Sequence, residues 1–296
     1  MIIQTAAGSA VVTHRLALAV EVYDAVTSRL ADAPVRVGRE AAGHLTAGPG
    51  EQLPDPGWPC QDLERSGKAR FKLRRAPQLP AVITLRIDDP ARRFVPRRVS
   101  ITLWSEVDTE AADQHPPAGA YVPVNSRLLR IWLAPGSAYP LPRGATAIRG
   151  RVLRGAAGGV LSPDHPVRWP RVTATGPGNA LVGWTHGDER GEFLLLVTSA
   201  GNLPPLADAQ FSVDIDVVGR PSAQTPPPDP ADRCADLVAE NIPRSSAPPA
   251  AGDLDNDLLR GRAVPPGYAA GSSPRPHWTV QVGSLSGTGT DIPFPD

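Results

Sequence analysis

"IRGRVLRGAAGGVLSPDHPVRWPRVTATGPGNALVGWTHGDERGEFLLLV", residues Ile148 to Val197, decides the fold. Ile148 to Leu153 alternates apolar with charged or small residues, Val172 to Thr175 follows a proline-marked turn, and Ala180 to Thr185 is a third short strand. An acidic turn, His186 to Arg190, ends at Gly191 and releases a fourth strand, Glu192 to Val197. Alternation bounded by Gly, Pro, Asn and Asp is what half-buried antiparallel strands require, because successive side chains leave a strand on opposite faces. The stretch predicts a small β-sandwich over residues 148–219.

Upstream, the same period runs through Leu16, Leu18, Val20 and Val22, breaks at the polar turn Thr27 to Arg29, and resumes at Val35 and Val37. A Gly, Pro and acid-rich segment from Ala42 to Ser66, holding Trp58 and Cys60, reads as a long loop. Strands are expected at Ala69 to Leu73, at Ala81 to Ile87 and within Phe94 to Leu103, which closes an N-terminal sandwich over 1–104. Residues 105–147 are a proline-stiffened connector with one strand, Arg127 to Leu133. Residues 220–296 have too little periodic apolar content for a core of their own and read as an extended Pro-rich arm. Within it, Arg233 to Asn241 suits a short helix and Trp278 to Val282 a strand.

The ordered set Gly150, Val152, Pro166, Val172, Thr185, Asp188, Gly191 and Phe193 resembles the carboxypeptidase-regulatory-like, transthyretin-like domain. That resemblance implies an antiparallel sandwich in which the Asp-containing turn is a hairpin device. The opening block, Val20, Val22, Asp24 to Thr27, Arg29 and Pro34 to Val37, is similar to the start of the same module. The expected fold is therefore all-β, two tandem transthyretin-like antiparallel sandwiches followed by the arm. The opening block together with Trp132 to Val152 also looks like accessory proteins of bacterial contractile injection systems and phage-tail-like particles. This implies a non-enzymatic structural protein of the cap, baseplate or sheath-associated parts, with protein subunits of a larger assembly as partners and several copies of itself. The arm is then the attachment, with Leu258, Leu259, Trp278, Val280, Val282 and Phe294 as its partner-binding side chains.

Composition agrees with that fold class. The 296 residues include 35 Pro and 28 Gly with one Met, a mixture unfavourable to long helices. Thirty basic residues balance thirty acidic ones, so no net field gathers nucleic acid or anionic lipid. All the basic residues but Lys68 and Lys72 are Arg, the side chain suited to bidentate carboxylate pairing, although a GC-rich genome biases composition in the same direction. Two distant cysteines, Cys60 and Cys234, suit a reducing compartment. No secretory signal or run long enough for a membrane span is legible, so a cytoplasmic protein is expected, within or outside a particle later released.

Candidate chemistry is sparse. His186 and Glu189 have the H-x-x-E spacing of a zinc pair but fall in a hairpin turn, where a solvated acidic turn is the expectation. Asp253, Asp255 and Asp257 begin like a calcium loop, which fails at Leu258 and Val264 where Gly and Glu are needed. No nucleophile elbow, phosphate loop or dinucleotide fingerprint occurs; Gly283 to Gly287 carries Leu285 where a nucleophilic Ser would stand. The six tryptophans are scattered, with Trp169 and Trp184 the pair expected to share a face. No catalytic residue, cofactor, metal or small-molecule substrate is expected. The alternative reading is a carbohydrate- or peptide-binding sandwich module, or a regulatory subunit of a separate enzyme.

Overall fold

The computed structural model describes residues 15–40, 57–113, 127–155, 160–197, 210–243, 256–271, 276–287 and 291–295. In chain order the strands begin with β1 (Leu16–Asp24), β2 (Arg29–Leu30), β3 (Arg36–Glu40), β4 (Cys60–Asp62), β5 (Glu64–Gly67), β6 (Arg70–Arg74), β7 (Val82–Asp88), β8 (Arg97–Thr102) and β9 (Leu128–Leu133). They continue with β10 (Ala147–Arg154), β11 (Arg171–Thr175), β12 (Leu181–His186), β13 (Glu192–Leu196) and β14 (Gln210–Gly219). The last are β15 (Ala239–Ile242), β16 (Ala269–Ala270), β17 (His277–Gln281), β18 (Leu285–Gly287) and β19 (Ile292–Phe294). Among the described residues two short α-helices, α1 (Glu106–Asp113) and α2 (Asp257–Arg260), interrupt them. The described residues are mostly strand, an all-β arrangement in four sheets.

Two of those sheets enclose the first core. In one, β1 carries β2 and β6 antiparallel on one flank and β9 parallel on the other, with β5 beyond β6. The other runs β15-β8-β7-β3-β4. Leu18, Val20 and Val22 of β1 point inward to meet Leu85 and Ile87 of β7 and Val99 of β8, while Glu21 and Tyr23 take the alternate positions, Tyr23 stacking on Trp132 at 5.0 Å. The turn out of β1 is set by Asp24, whose carboxylate accepts hydrogen bonds from Val26 N at 2.7 Å, Thr27 Oγ1 at 2.9 Å and Tyr139 Oη at 2.8 Å. Such a side chain supplies the turn with its backbone partners.

The second core lies between the sheet β13-β10-β18, continued by β19 along β10, and the sheet β12-β11-β14. In the latter, β17 and β16 line the edge of β14 away from β11. Phe211, Val213 and Ile215 of β14 face Ile148 and Val152 of β10 and Phe193 and Leu195 of β13. The turn between β12 and β13 is held by its own aspartate: Asp188 Oδ1 accepts from Arg190 N at 2.9 Å and Glu192 N at 3.0 Å. Gly191 closes it at φ +74°, and a Cβ there would collide with the carbonyl of Val152.

Several expectations need correction. Cys60–Asp62 and Glu64–Gly67, placed in a loop, are edge strands, while residues 42–56 lie outside the described residues. Arg233 to Asn241 is no helix: Asp232 Oδ1 accepts from Cys234 N at 3.0 Å in a turn, and Ala239–Ile242 then pairs in parallel with β8. The connector strand is not a spacer, since Leu128–Leu133 pairs with Ala19–Asp24 and buries Leu129, Ile131 and Leu133 in the first core. The arm is the largest correction. Its β15 extends the first pair of sheets and β16 to β19 extend the second. A segment that cannot build a core alone can still add single strands to sheets that supply the rest of the pairing.

Candidate functional site

Where the two sheet pairs meet, the described residues bury a layer of arginines and carboxylates. Its centre is Arg97, the first residue of β8, whose side chain is fully enclosed. Arg97 Nε and Nη2 donate to the two oxygens of Glu240 at 3.1 and 2.7 Å. Its remaining donors reach the carbonyls of Trp132 at 3.0 Å, Leu259 at 2.5 Å and Leu258 at 2.8 Å. Arg171, the first residue of β11 in the other sheet pair, donates to Glu240 from Nη2 at 2.9 Å. One carboxylate on β15 thus joins two arginines from opposite halves of the molecule. Burial alone would raise the Glu240 carboxyl, but Arg97 and Arg171 outweigh it and hold it below the usual carboxylate range.

The neighbouring residues of the chain 232–240 repeat the pattern. Arg86 of β7 donates to Asp232 at 2.7 Å and to Glu40 at 2.9 Å, and Arg98 of β8 holds Glu40 at 2.6 Å. Arg168, from the second half, grips Asp236 with two donors at 2.6 and 2.8 Å, and Trp169 Nε1 donates to the same carboxylate at 3.0 Å. Asp236 and Glu240 are almost completely buried, so their charges are tolerable only because each is multiply hydrogen-bonded.

The His186 to Arg190 turn is not solvated, contrary to expectation. His186 is 2 % exposed, Asp188 5 % and Glu189 7 %. Glu189 pairs with Arg92 at 2.5 Å and Arg233 at 3.5 Å, both lying outside its own sheet pair. Burial, then the adjacent Glu189, pushes the Asp188 carboxyl upward. His186 Nε2 donates to the carbonyl of Gly261 at 2.7 Å, which fixes the proton on that nitrogen, and its buried Nδ1 has no partner. Burial, with Arg171 and Arg97 nearby, holds this imidazole well below its ordinary pKa. It is neutral and committed to a backbone carbonyl. Gly261, at φ +77°, ends α2 here, and a Cβ would stand 2.7 Å from His186 Cε1.

Chemically the layer is a fastener. Each carboxylate named in it faces at least one guanidinium, so none is placed as an open general acid or base. Burial also pushes the thiols of Cys60 and Cys234 up to about 12, which keeps them protonated and poorly nucleophilic. Among the described residues no three of His, Cys, Asp and Glu converge as metal ligands. Asp253 and Asp255, the first members of the calcium-like spacing, lie outside those residues.

The six side chains expected to grip a partner turn inward or pack on the chain itself. Leu259 belongs to the first core, and Val280 and Phe294 to the second, at 0 % and 2 % exposure. Trp278 and Val282 pack half-buried on the second core, and Leu258 on the first. Apolar surface already covered by this chain cannot serve a partner, which leaves Leu259, Val280 and Phe294 a structural role, while Leu258, Trp278 and Val282 commit part of their surface to the chain itself. Trp169 and Trp184 do not share a platform: Trp169 sits with Val95, Cys234 and Leu237, and Trp184 lies against His186 and beneath Arg262. Sequence reasoning missed Arg97, Arg171, Asp236 and Glu240. The one available signal was the near-exclusive use of Arg over Lys, which fits planar bidentate pairing.

No family model matches the chain, and no curated protein does. Among solved structures, a leucine-rich repeat protein from Bacteroides thetaiotaomicron aligns over 96 % of this chain and 26 % of its own, at 11 % identity and a TM-score of 0.22. The chain thus spans about a quarter of that protein's length, and the likeness carries no argument. No helix among the described residues is long and apolar enough to cross a membrane.

Proposed function

We propose that the chain is a non-enzymatic structural component of a large protein assembly, built as two transthyretin-like sandwiches in tandem. The observation that carries this reading is the buried ion layer. Glu240 holds one arginine from each half and Asp236, on the same segment, holds Arg168 of the second, contacts that would keep the two sheet pairs at a fixed mutual angle. Buried ion pairs add little net stability over apolar packing, but they penalise any other arrangement of the same surfaces. A rigid two-part block suits a building element. The sequence blocks at Val20 to Val37 and Trp132 to Val152 support the narrower reading, a cap, baseplate or sheath-associated protein of a contractile injection system or phage-tail-like particle.

Attachment through the six arm side chains is not part of the proposal, because they are used internally. Outer sheet faces and edges are the surfaces that remain. The test is fractionation of native extract containing an affinity-tagged chain. Co-sedimentation with a multi-megadalton particle, at fixed stoichiometry with other subunits, is expected. A chain that migrates wholly as a lone monomer under the same conditions would overturn the reading, and glycan or peptide capture by that monomer would replace it with a binding module.

A further inference from the structure

A cavity of about 540 Å³ lies where β10, β13 and β18 meet the loop after β9. Its size falls in the range of about 300–1,000 Å³ usual for small-molecule sites. Both signs of charge stand in its wall: Arg149 and Arg151 from β10, Glu192 from β13, and Asp291 just before β19.

The register of the sheet decides which of these charges meet. Arg149 and Arg151 leave β10 on one face, two residues apart, and Glu192 stands directly opposite Arg151. Arg151 nevertheless turns to Asp291, giving it two donors at 3.0 and 2.7 Å, and this pair closes one end of the wall. Glu192 is diagonal to Arg149, a spacing of about 7–8 Å on neighbouring strands. Arg149 is exposed and donates from Nη2 to the Ser137 carbonyl at 3.1 Å, a bond that uses one of the five donors of a guanidinium. Glu192 Oε2 accepts from Arg190 Nη2 at 2.8 Å, which uses one of about four acceptor sites of a carboxylate. A cation and an anion with bonding capacity to spare thus face one cavity, held apart by the sheet. In another cavity, of about 430 Å³, the opposite charges are already in contact, since Glu64 takes both Lys72 and Arg74 at 2.8 and 2.7 Å.

The rest of the wall comes from β18, which lies along β10 with Leu285 beside Ala147 and Gly287 beside Arg149. Leu285 is 47 % exposed and offers apolar surface to the cavity. A Cβ at Gly287 would meet no atom within 4 Å, so the space beside Arg149 is open.

We propose that this cavity binds a free α-amino acid with an apolar side chain, its carboxylate on Arg149, its ammonium on Glu192 and its side chain against Leu285. An ammonium and a carboxylate carried on one carbon, with a charge-assisted hydrogen bond of about 2.8 Å at each end, span the diagonal between the two strands. Binding is a property of the lone chain and independent of any assembly. A ligand that binds the folded chain and not the unfolded one raises the melting temperature in a saturable way.

The experiment titrates the full chain with leucine, N-acetylleucine and leucine amide at constant ionic strength, and reads the binding heat and the melting temperature. Saturable binding of leucine is expected, with each analogue, which lacks one of the two charges, about tenfold or more weaker, the usual scale for losing a charge-assisted hydrogen bond. R149Q should weaken leucine by a similar factor and leave leucine amide, which has no carboxylate to lose, unchanged. E192Q should weaken leucine and leave N-acetylleucine unchanged. A variant that merely loosened the fold would weaken all three ligands alike. G287L fills the open space and should abolish binding while the ligand-free chain melts as the wild type does. R74Q, in the 430 Å³ cavity, should bind leucine as the wild type does. The proposal is overturned if leucine does not bind saturably, if either analogue binds as tightly as leucine, or if G287L binds leucine like the wild type.

Discussion

The first sheet pair takes one short strand from beyond residue 219, while the second takes four. Most of the first core comes from residues before 134; Tyr139, Ala147, Leu194 and Leu196 join it from the middle of the chain, and the segment beyond residue 219 adds only Ile242 and Leu259 among the described residues. The second core contains Val280, Ile292 and Phe294, all nearly fully enclosed. Two sets of sheets with similar alternating strands therefore differ in how locally they are encoded. The first combines local hairpins with parallel pairings of β1 to β9 and β8 to β15, whereas β10 of the second is flanked on one whole side by strands from the far end of the chain. A Pro-rich, weakly apolar segment is ordered here by sheets that already exist, each strand contributing one or two anchors.

The largest consequence concerns removal of residues 220–296. It strips Val280, Ile292 and Phe294 from the second core, and a buried large apolar side chain contributes about 1.5–3 kcal/mol each. It also leaves Arg97, Arg168 and Arg171 without their carboxylates. The total is comparable with the whole stability of a typical domain, ~5–15 kcal/mol. The truncated chain should lose the second sheet pair and keep a destabilised first one, seen as a reduced far-ultraviolet signal and a single smaller melting transition. A full-amplitude, wild-type-like melt would erase the difference between the halves.

Next in size is Glu240→Gln, which removes the shared partner of Arg97 and Arg171. Breaking a buried pair from one side costs about 3–5 kcal/mol, and here one deletion orphans two cations. Urea unfolding should show a midpoint lowered accordingly. The variant should also flatten the acid limb of the wild-type profile. The folded carboxyl is held below its ordinary value of 4.5, so its stabilisation is present above that pH and is lost as pH falls through the folded value. A midpoint within experimental error of the wild type would show that the layer does not hold the halves together.

His186 acts in a different pH window. Its folded pKa lies well below the ordinary 6.5 because of burial and the two nearby arginines. Below 6.5 the unfolded chain binds a proton that the folded chain refuses, so stability falls with decreasing pH. The limiting slope for one such group is about 1.4 kcal/mol per pH unit. Unfolding free energy measured from pH 7.5 to 5.5 should fall along a curve that steepens through 6.5 towards that slope, and His186→Gln should remove it while leaving the loss near the carboxylate range. An unchanged slope in the variant would assign the effect to another group.

What was legible in the sequence divides along the same line as the structure. Strands that alternate within one short window, such as Leu16–Asp24 or Glu192–Leu196, declare themselves, because period two is a local property. So do the turns at Asp24 and Asp188, where a carboxylate bonds amides two to four residues on. Strands of three residues, such as Leu285–Gly287 and Ile292–Phe294, carry too few positions to show a period. The ion layer was hidden for a further reason: Arg97 and Glu240 are 143 residues apart, and Arg171 is 69 from Glu240. Charge composition revealed that arginines were plentiful, not which carboxylates they would meet.

The smallest expected effect is at Glu189, where sequence spacing suggested an inert surface position. Its carboxylate is nearly buried, yet both of its arginines reach solvent, Arg92 at 36 % exposure and Arg233 at 24 %. Each also keeps a second acid after Glu189 is removed: Asp188 lies 3.6 Å from Arg92, and Asp88 is within 2.5 Å of Arg233. Unlike the arginines on Glu240, these two cations are not stranded by Glu189→Ala. The cost should therefore sit near the low end of the scale for a lost charge-assisted hydrogen bond, about 1–2 kcal/mol. It should appear as a lower urea midpoint with an unchanged slope, since the folded and unfolded states expose the same surface as before. A loss as large as that of Glu240→Gln would mean that the turn, and not β15, is the main fastening between the two halves. No loss at all would mean that the Glu189 pairs are as dispensable as ordinary surface salt bridges.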